Sequence, residues 1–364
     1  MKRKSRFHIA YCPYCNHHYT EFVYATSGER FVAIKKNKLG EWSVQPFMQC
    51  DDIRQIRIKN VEKLNGLPYL TTIKIEYTDG KVLEQVLETK NRVCPNCLKD
   101  EGRKIPALYY TSYVKTLVVT NIGLPGSGKS ALAQSLAYGK RKLSDGYAIV
   151  PVKSPAYKSH LEATPINSTD LYYQFLIKDN RGAIISNIVL IDTPGELMTE
   201  DDKIGMTEYY AKLRDLIINS NWINVVLDGK KAMESDANDR TLNEIQRFLQ
   251  LRSVLRKTSI VMTKGDLVRK KITNKSIKTS DGYTILNYKS PLFYEESLSI
   301  TDTMKLSKYV IRKLSEKVCE IVPEKSEVAY FLISSGYENE KDVLNYYQSL
   351  NINKLIQQIL KQIV

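Results

Sequence analysis

A glycine-rich stretch at residues 117–130, LVVTNIGLPGSGKS, constrains the fold of this chain more than any other feature. An apolar, β-branched run precedes the glycines and good helix formers follow them, so the stretch predicts a buried strand, a turn and the start of a helix. Gly123, Gly128, Lys129 and Ser130 match the spacing G-x-x-x-x-G-K-S, in which backbone N–H groups surround a chain of phosphates. The helix N-terminus adds partial positive charge. A chance glycine turn between a strand and a helix is the alternative.

This loop supplies a set of candidate nucleotide contacts. Lys129 would neutralise the β- and γ-phosphates, which also makes it a candidate catalytic residue, and the Ser130 hydroxyl would reach a magnesium ion. The predicted contacts are Gly123, Leu124, Pro125, Gly126, Ser127, Gly128, Lys129, Ser130 and Ala131.

Composition indicates a globular protein of more than one domain. The chain has 364 residues, of which 43% are hydrophobic, and this length exceeds that of one ordinary small core. The sequence shows no apolar run long enough to span a bilayer and no signal peptide. We therefore expect a cytoplasmic protein.

The charge balance favours a polyanionic partner. The formal net charge is +14, from 54 basic and 40 acidic residues, which suits nucleic acid, an acidic protein or a membrane surface. The basic residues are dispersed, so compositional bias is the competing explanation. The basic run from Arg269 to Lys278 is interpreted as a solvated loop in preference to a polyanion contact.

Four of the six cysteines form two C-P-x-C turns, at residues 12–15 and 94–97. Two such turns supply four thiolates, which is enough to close a tetrahedral structural zinc site; the alternative is a set of buried free thiols. The predicted ligands are Cys12, Cys15, Cys94 and Cys97. His17 and His18 lie beside the first turn, but four thiolates already fill the coordination shell. The turns resemble zinc ribbons and rubredoxin-like knuckles, with an insertion over 16–93 that contains several predicted short strands and one Asp-Gly hairpin turn.

Two further strands precede a second candidate motif. Residues 171–177 and 183–191 flank an Asn-Gly turn and predict an antiparallel hairpin that ends in Asp192-Thr-Pro-Gly195. Residues 143–170 precede the hairpin, are polar and rich in proline, and predict a long loop.

This order of motifs is similar to that of the TRAFAC class of P-loop GTPases, and the resemblance covers roughly residues 112–364. It implies that Asp192 holds magnesium and that the Gly195 N–H senses the γ-phosphate. It also implies a switch threonine, for which Thr164 and Thr169 are both candidates. Glu196 stands where Ras-like enzymes have a glutamine that orients the attacking water. An ionised carboxylate cannot donate a hydrogen bond, so the resemblance leaves the hydrolysis rate open.

A third motif, Thr263-Lys264-Gly265-Asp266, matches [NT]-K-x-D at the end of a predicted strand. The Asp266 carboxylate could accept both the N1–H and N2–H donors of guanine, whereas adenine would leave the buried charge unpaired. Lys264 would pack along the base. A last strand at residues 328–333 ends at Ser334 and Ser335, which the resemblance places at the guanine O6.

Together these patterns predict an α/β fold: a P-loop NTPase with a mostly parallel sheet and one antiparallel hairpin, over residues 111–364. A β-rich zinc-knuckle domain would occupy residues 1–110. Helices are predicted at residues 240–255, 301–321 and 352–364. The combination also resembles double-GTPase-type proteins of bacterial conflict systems.

The predicted function is a GTP-binding molecular switch. Its cofactors would be GTP or GDP, Mg²⁺ and Zn²⁺, its zinc domain would recognise a protein effector, and it would hydrolyse GTP. The alternatives are a P-loop ATPase or kinase, and a nucleic-acid-binding module regulated by nucleotide.

Overall fold

The structure, a computed structural model, divides the chain into two compact units, Met1–Thr116 and Leu117–Val364. The predicted domain boundary between residues 110 and 111 stays a prediction. The residues that the structure describes are 9–12, 15, 17–19, 21–26, 30–37, 39–64, 67–88, 92–98, 111–112, 114, 116–137, 141–143, 145–152, 171–193, 215–234, 246, 257–268, 272, 275–279, 282–287, 289–290, 292, 298–315, 318, 322, 327–334, 337–338, 344–345 and 350–363.

The N-terminal unit consists of antiparallel β-sheets. Its strands are β1 (Ile9–Tyr11), β2 (His18–Tyr19), β3 (Phe22–Ala25), β4 (Phe31–Lys36), β5 (Trp42–Pro46), β6 (Ile53–Leu64), β7 (Leu67–Tyr77), β8 (Val82–Glu88), β9 (Arg92–Val93) and β10 (Thr111–Ser112). They form sheets in the orders β10-β1-β2, β5-β4-β3-β9 and β6-β7-β8. The strands predicted within the insertion are confirmed.

One buried cation packs between aromatic rings in this unit. The Arg92 guanidinium lies 4.8 Å from the ring centroid of Phe22 and 5.5 Å from that of Tyr24. Its Nε donates a hydrogen bond of 3.1 Å to the Tyr24 hydroxyl. Because the faces of aromatic rings attract cations, these contacts offset the cost of burying Arg92. Arg92 lies in β9, the strand that leads directly into the second cysteine turn.

The C-terminal unit combines one large sheet with helices. Its strands are β11 (Thr116–Ile122), β12 (Arg141–Lys142), β13 (Ala148–Val152), β14 (Leu171–Lys178), β15 (Ile184–Asp192), β16 (Trp222–Asp228), β17 (Thr258–Thr263), β18 (Lys275–Thr279), β19 (Gly282–Leu286), β20 (Ala329–Leu332), β21 (Tyr337–Glu338) and β22 (Leu344–Asn345). Its helices include α1 (Lys129–Ala137), α2 (Gly229–Glu234), α3 (Gly265–Val268), α4 (Ile300–Leu314) and α5 (Ile352–Ile363), and the described residues 215–219 are helical as well.

The large sheet has the order β12-β13-β14-β15-β11-β16-β17-β20. Strand β16 pairs parallel with β11 and β17, and β17 pairs parallel with β20. Strands β14 and β15 form an antiparallel hairpin, and β15 lies next to β11. The predicted fold class is therefore confirmed.

Both faces of this sheet are buried. Along β16, Ile223, Val225 and Leu227 join a core that includes residues of α4, whereas Trp222 and Val226 join a second core that includes residues of α1 and α5. A strand buried on both faces loses the alternation of apolar and polar residues. This explains why β16 is apolar along most of its length.

Three predictions of local structure need correction. The first is the long loop at residues 143–170, because residues 148–152 form β13. Proline normally disfavours a strand interior, since it cannot donate to the ladder. Strand β12 pairs only with Ala148 and Ile149 of β13, so within the described residues the outer side of β13 at Pro151 is a sheet edge, where proline is tolerated. Residues 153–170 lie outside the described part of the chain.

The second correction is the segment after residue 268, interpreted as a solvated loop, which contains the antiparallel hairpin β18–β19. The third is the helix predicted at residues 301–321, which spans Ile300–Leu314 instead. Ser299 is its N-cap, and the extended backbone of Ser315 ends it. The helix predicted at residues 240–255 lies outside the described residues, apart from residue 246.

Among the described residues, no helix is both long and apolar enough to cross a membrane.

We expect Asn351 to anchor α5. Its Nδ2 donates to the carbonyl oxygens of Leu332, at 3.0 Å, and Leu292, at 3.2 Å, and its φ is +60°. Asn351→Gly should lower the free energy of unfolding by about 1–3 kcal/mol, because buried carbonyls lose their donor. Asn351→Ala should cost about 1 kcal/mol more, because of the left-handed backbone. Urea unfolding measures both changes.

Lys361→Ala, a substitution at an exposed position of the same helix, is the control for these variants and should leave stability unchanged. A glycine variant as stable as wild type would show that the amide does not anchor the helix.

Candidate functional site

The four predicted cysteine ligands converge in the N-terminal unit. The sulfur atoms of Cys12, Cys15, Cys94 and Cys97 all lie within 4.8 Å of one another. The Cys15 and Cys94 sulfurs are 3.5 Å apart, and those of Cys12 and Cys97 are 3.9 Å apart. Cys12 directly follows β1 and Cys94 directly follows β9, so two strand ends bring the turns together. The ends of the 16–93 insertion therefore return to one place, and the four cysteines could hold a metal ion.

The electrostatics of this cluster suit a cation. Burial, followed by hydrogen bonds with the other three thiols, raises the pKa of Cys12 well above its usual range. Hydrogen bonds from Cys12, Cys94 and Cys97 lower the pKa of Cys15. The shifts diverge because four neighbouring thiols cannot all ionise without a positive charge among them. Four closely spaced sulfurs fit the tetrahedral coordination of Zn²⁺. Among the described residues, neither His17 nor His18 belongs to this group.

The glycine-rich loop lies where β11 ends and α1 begins. A Cβ on Gly123 would approach the Val226 carbonyl oxygen to 2.3 Å, so only glycine allows β11 to pass this close to β16. The Lys129 Nζ donates to the carbonyl oxygens of Gly123, at 2.8 Å, and Leu124, at 2.9 Å. The lysine thus folds back over the loop, with its ammonium at the first helical turn.

The hydroxyl and the carboxylate predicted to bind magnesium lie side by side. Ser130 follows Lys129 in the first turn of α1. The Ser130 Oγ donates a hydrogen bond of 2.6 Å to the Asp192 Oδ2. Asp192 is the buried last residue of β15, which lies next to β11 in the sheet. The strand order therefore brings together two residues that are 62 positions apart in sequence.

The third sequence motif contacts the glycine-rich loop directly. The Thr263 Oγ1 lies 2.7 Å from the Ser127 carbonyl oxygen and 3.1 Å from that of Leu227. Gly128 faces the same side chain: a Cβ there would lie 3.1 Å from Thr263, and φ at Gly128 is +88°. The Lys264 Nζ lies 3.4 Å from the Gly126 carbonyl oxygen. The phosphate-type loop and the Thr-Lys-Gly-Asp segment thus form one continuous surface.

An ion pair that the sequence analysis did not find supports this surface. The Lys264 Nζ lies 2.8 Å from the Asp228 Oδ2, and the Asp228 Oδ1 accepts from the backbone N–H groups of Lys230 and Lys231. Asp228 is 2% exposed, so its carboxylate has little contact with water. The Lys264 ammonium and the two backbone N–H groups compensate for that loss. One feature of the sequence indicated a role for Asp228: it stands at the carboxyl end of an apolar predicted strand. Ligands bind at that edge of open α/β sheets.

Asp266 is held by the end of the last strand. The Ser334 Oγ donates to the Asp266 Oδ1 at 3.1 Å and accepts from the Asp266 backbone N–H at 3.1 Å. The Gly265 N–H donates to the Ile333 carbonyl oxygen at 2.9 Å. Ser334, predicted to lie near the base, therefore lies beside the carboxylate predicted to read it.

Several predicted site residues lie outside the described part of the chain. They are the candidate switch residues Thr164 and Thr169, the Asp-x-x-Gly residue Gly195, the neighbouring Glu196, and Ser335.

Comparison with known proteins gives structural likenesses alone. No protein-family model matches the chain, and no curated protein matches it. It is similar to the G domain of the T. maritima FeoB iron transporter, with 14% identity, coverage of 68% of this chain and 99% of that one, and a TM-score of 0.33. It is also similar to a variant of Aquifex aeolicus Era bound to GDP·AlF4⁻, with 16% identity, coverage of 69% and 57%, and a TM-score of 0.36.

A second Era structure, in complex with MgGDPNP and nucleotides 1506–1542 of 16S ribosomal RNA, gives 17% identity, coverage of 69% of this chain and 58% of that one, and a TM-score of 0.36. The match spans little more than half of each Era chain.

We expect the purified protein to carry about one zinc ion per chain, held by the four-cysteine cluster. Cys12→Ser and Cys94→Ser should each lose most of the metal, because a hydroxyl is a poor ligand for Zn²⁺ beside thiolates. Elemental analysis by mass spectrometry measures the metal content. Cys50→Ser, which removes a cysteine outside the cluster, is the matched control and should keep its zinc. Equal zinc content in all three variants would place the metal elsewhere.

Proposed function

We propose that this chain is a guanine-nucleotide-binding switch with magnesium-dependent GTPase activity. The observation that carries the proposal is the contact between its two nucleotide motifs, through the Thr263 hydroxyl and the Ser127 carbonyl at 2.7 Å. The contact lies at the carboxyl ends of neighbouring strands, where open α/β sheets bind ligands. One nucleotide could therefore reach the glycine-rich loop with its phosphates and Asp266 with its base.

At the phosphate end, the backbone N–H groups of residues 123–131 other than Pro125, together with the N-terminus of α1, would bind the anionic oxygens. Lys129 would exchange its two carbonyl partners for the β- and γ-phosphates. Lys129 would then stabilise the charge that develops during phosphoryl transfer.

The Ser130 hydroxyl and the Asp192 carboxylate fit a magnesium site. Both are oxygen donors of the kind that Mg²⁺ prefers, and magnesium commonly takes one or two protein ligands together with phosphate oxygens and waters. Their separation of 2.6 Å makes them neighbouring ligands, direct or through water. A bound ion would neutralise phosphate charge during the reaction.

At the base end, Asp266 would accept the two donors on the guanine edge. The Ser334 hydroxyl fixes the Oδ1 of that carboxylate at 3.1 Å, which supports a defined orientation for base reading. The Lys264 stem would cover the base plane while Asp228 holds its ammonium at 2.8 Å. Ser335 would place a backbone N–H near the guanine O6.

The switch itself would depend on the γ-phosphate. Gly195 and one of Thr164 or Thr169 would contact it, so that GTP orders two loops that hydrolysis releases. The zinc-binding domain would recognise a protein effector. Glu196 would stand beside the attacking water and, as a carboxylate, could accept a proton but not donate one.

We expect GTP and GDP to bind more tightly than ATP by about 100-fold or more. Asp266→Ala should remove this preference, because no carboxylate then reads the base. Asp266→Asn should shift it towards a xanthine nucleotide, whose C2 carbonyl accepts a hydrogen bond from an amide. Titration with fluorescent nucleotides and magnesium measures these affinities.

The control is Asp145→Ala, at an exposed position of the same unit, which should bind like wild type. Equal affinity of the wild-type protein for ATP and GTP would contradict guanine recognition and favour an ATPase or kinase.

We expect slow GTP hydrolysis in single-turnover assays. Glu196→Gln should raise the rate about tenfold, the effect of one added hydrogen bond of about 1.4 kcal/mol in the transition state. Lys129→Ala should abolish hydrolysis. A lower rate of hydrolysis in Glu196→Gln than in wild type would identify the carboxylate as a general base. If the wild-type protein bound GTP without hydrolysing it, the switch would depend on a partner for catalysis.

A further inference from the structure

The hairpin β18–β19 presents one exposed face of unusual composition. Because residues opposite each other in an antiparallel pair share a face, the pairs Lys278–Tyr283 and Ser276–Ile285 place four side chains on the same side. Tyr283 is 76% exposed and Ile285 is 60% exposed, and Ser276 and Lys278 are exposed as well. We call these four residues the hairpin face.

The opposite side of the hairpin is anchored in the core. Leu286 is fully buried, and Ile277 packs against the core that includes Leu306 and Val310 of α4. The hairpin face is therefore presented by a fixed support. Tyr283 and Ile285 therefore expose apolar surface to water. Burying that surface is favourable, and on a fixed support it requires a partner that covers both side chains.

Charge indicates the class of that partner. Within the described hairpin, residues 275–279 and 282–286, Lys275 and Lys278 are basic and no residue is acidic, and Lys278 pairs directly with Tyr283. Lys275, at the base of the hairpin, is also exposed. The partner should therefore be anionic and should offer flat apolar surfaces to an aromatic ring.

We propose that the hairpin face binds single-stranded nucleic acid. Proteins that bind single strands combine cations that follow the phosphates with aromatic rings on which bases stack, and Lys278 and Tyr283 provide one of each on adjacent strands. The Ile285 side chain, two residues further along β19, extends the apolar contact beyond the stacked base. Binding at this face is independent of the proposed guanine nucleotide site.

The test is fluorescence anisotropy with labelled oligo(U) and oligo(dT) of about 12 nucleotides. The wild-type protein should bind at low salt and release the oligonucleotide as salt rises. Tyr283→Ala should bind about tenfold more weakly, Tyr283→Phe should bind like wild type, and Tyr283→Leu should resemble the alanine variant, because leucine keeps apolar area but has no ring for stacking. A preference for one oligonucleotide identifies the natural ligand as RNA or DNA, and either supports the proposal.

Salt dependence tests the cation. Lys278→Ala should reduce the slope of log affinity against log salt by about 0.7, which corresponds to one phosphate contact on a single strand. Lys361→Ala, at another exposed lysine, should leave both affinity and slope unchanged. All of these variants should bind GDP like wild type, which separates a failure here from a failure of the proposed nucleotide site.

Three results would overturn the proposal. One is the absence of oligonucleotide binding at low salt. Another is wild-type affinity in Tyr283→Leu, which would show that stacking contributes nothing. The last is Tyr283-dependent binding to phosphatidylserine vesicles without binding to either oligonucleotide, which would assign the face to a membrane surface.

Discussion

One small contact organises the C-terminal unit: the Thr263 side chain fits against the glycine-rich loop. Its hydroxyl lies within hydrogen-bonding distance of the carbonyl oxygens of Ser127 and Leu227, so it links the ends of β16 and β17 to the loop that follows β11. A Cβ at Gly128 would lie 3.1 Å from this side chain. A side chain at residue 128 would crowd Thr263 and would be strained at a φ of +88°, so glycine at this position favours the close approach of the loop to the Thr-Lys-Gly-Asp segment.

The sheet behind this contact is held in register by polar groups as well as apolar ones. In the buried interior, the Asn224 Nδ2 donates to the Asn121 Oδ1 at 2.8 Å, and the Asn224 Oδ1 accepts from Ser259 at 2.6 Å and from Trp222 at 3.1 Å. A buried polar group without a partner costs about 1–3 kcal/mol. A shift of one residue between β11, β16 and β17 would break the bonds from Asn224 to Asn121 and to Ser259, so these two bonds favour the pairing that aligns the three strand ends at the site.

In the N-terminal unit, the constraint is the meeting of two cysteine turns. Cys12 and Cys97 are 85 positions apart in sequence, yet their sulfurs belong to one cluster. Closing so long a loop costs only slightly more entropy than closing a shorter one, so the β-rich insertion is compatible with a shared metal site. The buried Arg92 between Phe22 and Tyr24 fixes the strand that delivers Cys94.

The sequence by itself determined the phosphate-type loop, the hairpin before Asp192 and the apolar parallel strands, because each depends on local spacing and on the burial pattern of one segment. It also determined the four-cysteine cluster, because two C-P-x-C turns together supply the four ligands of one tetrahedral site. Tertiary structure alone decided the ion pair of Asp228 with Lys264, the support of Asp266 by Ser334, the strand containing Pro151 and the exposed face around Tyr283. These features depend on which strands are neighbours and where each one ends. The contacts of Asp228 with Lys264 and of Asp266 with Ser334 join residues 36 and 68 positions apart, and the anchoring of the hairpin below Tyr283 depends on the distant helix α4, so no local period or propensity encodes them.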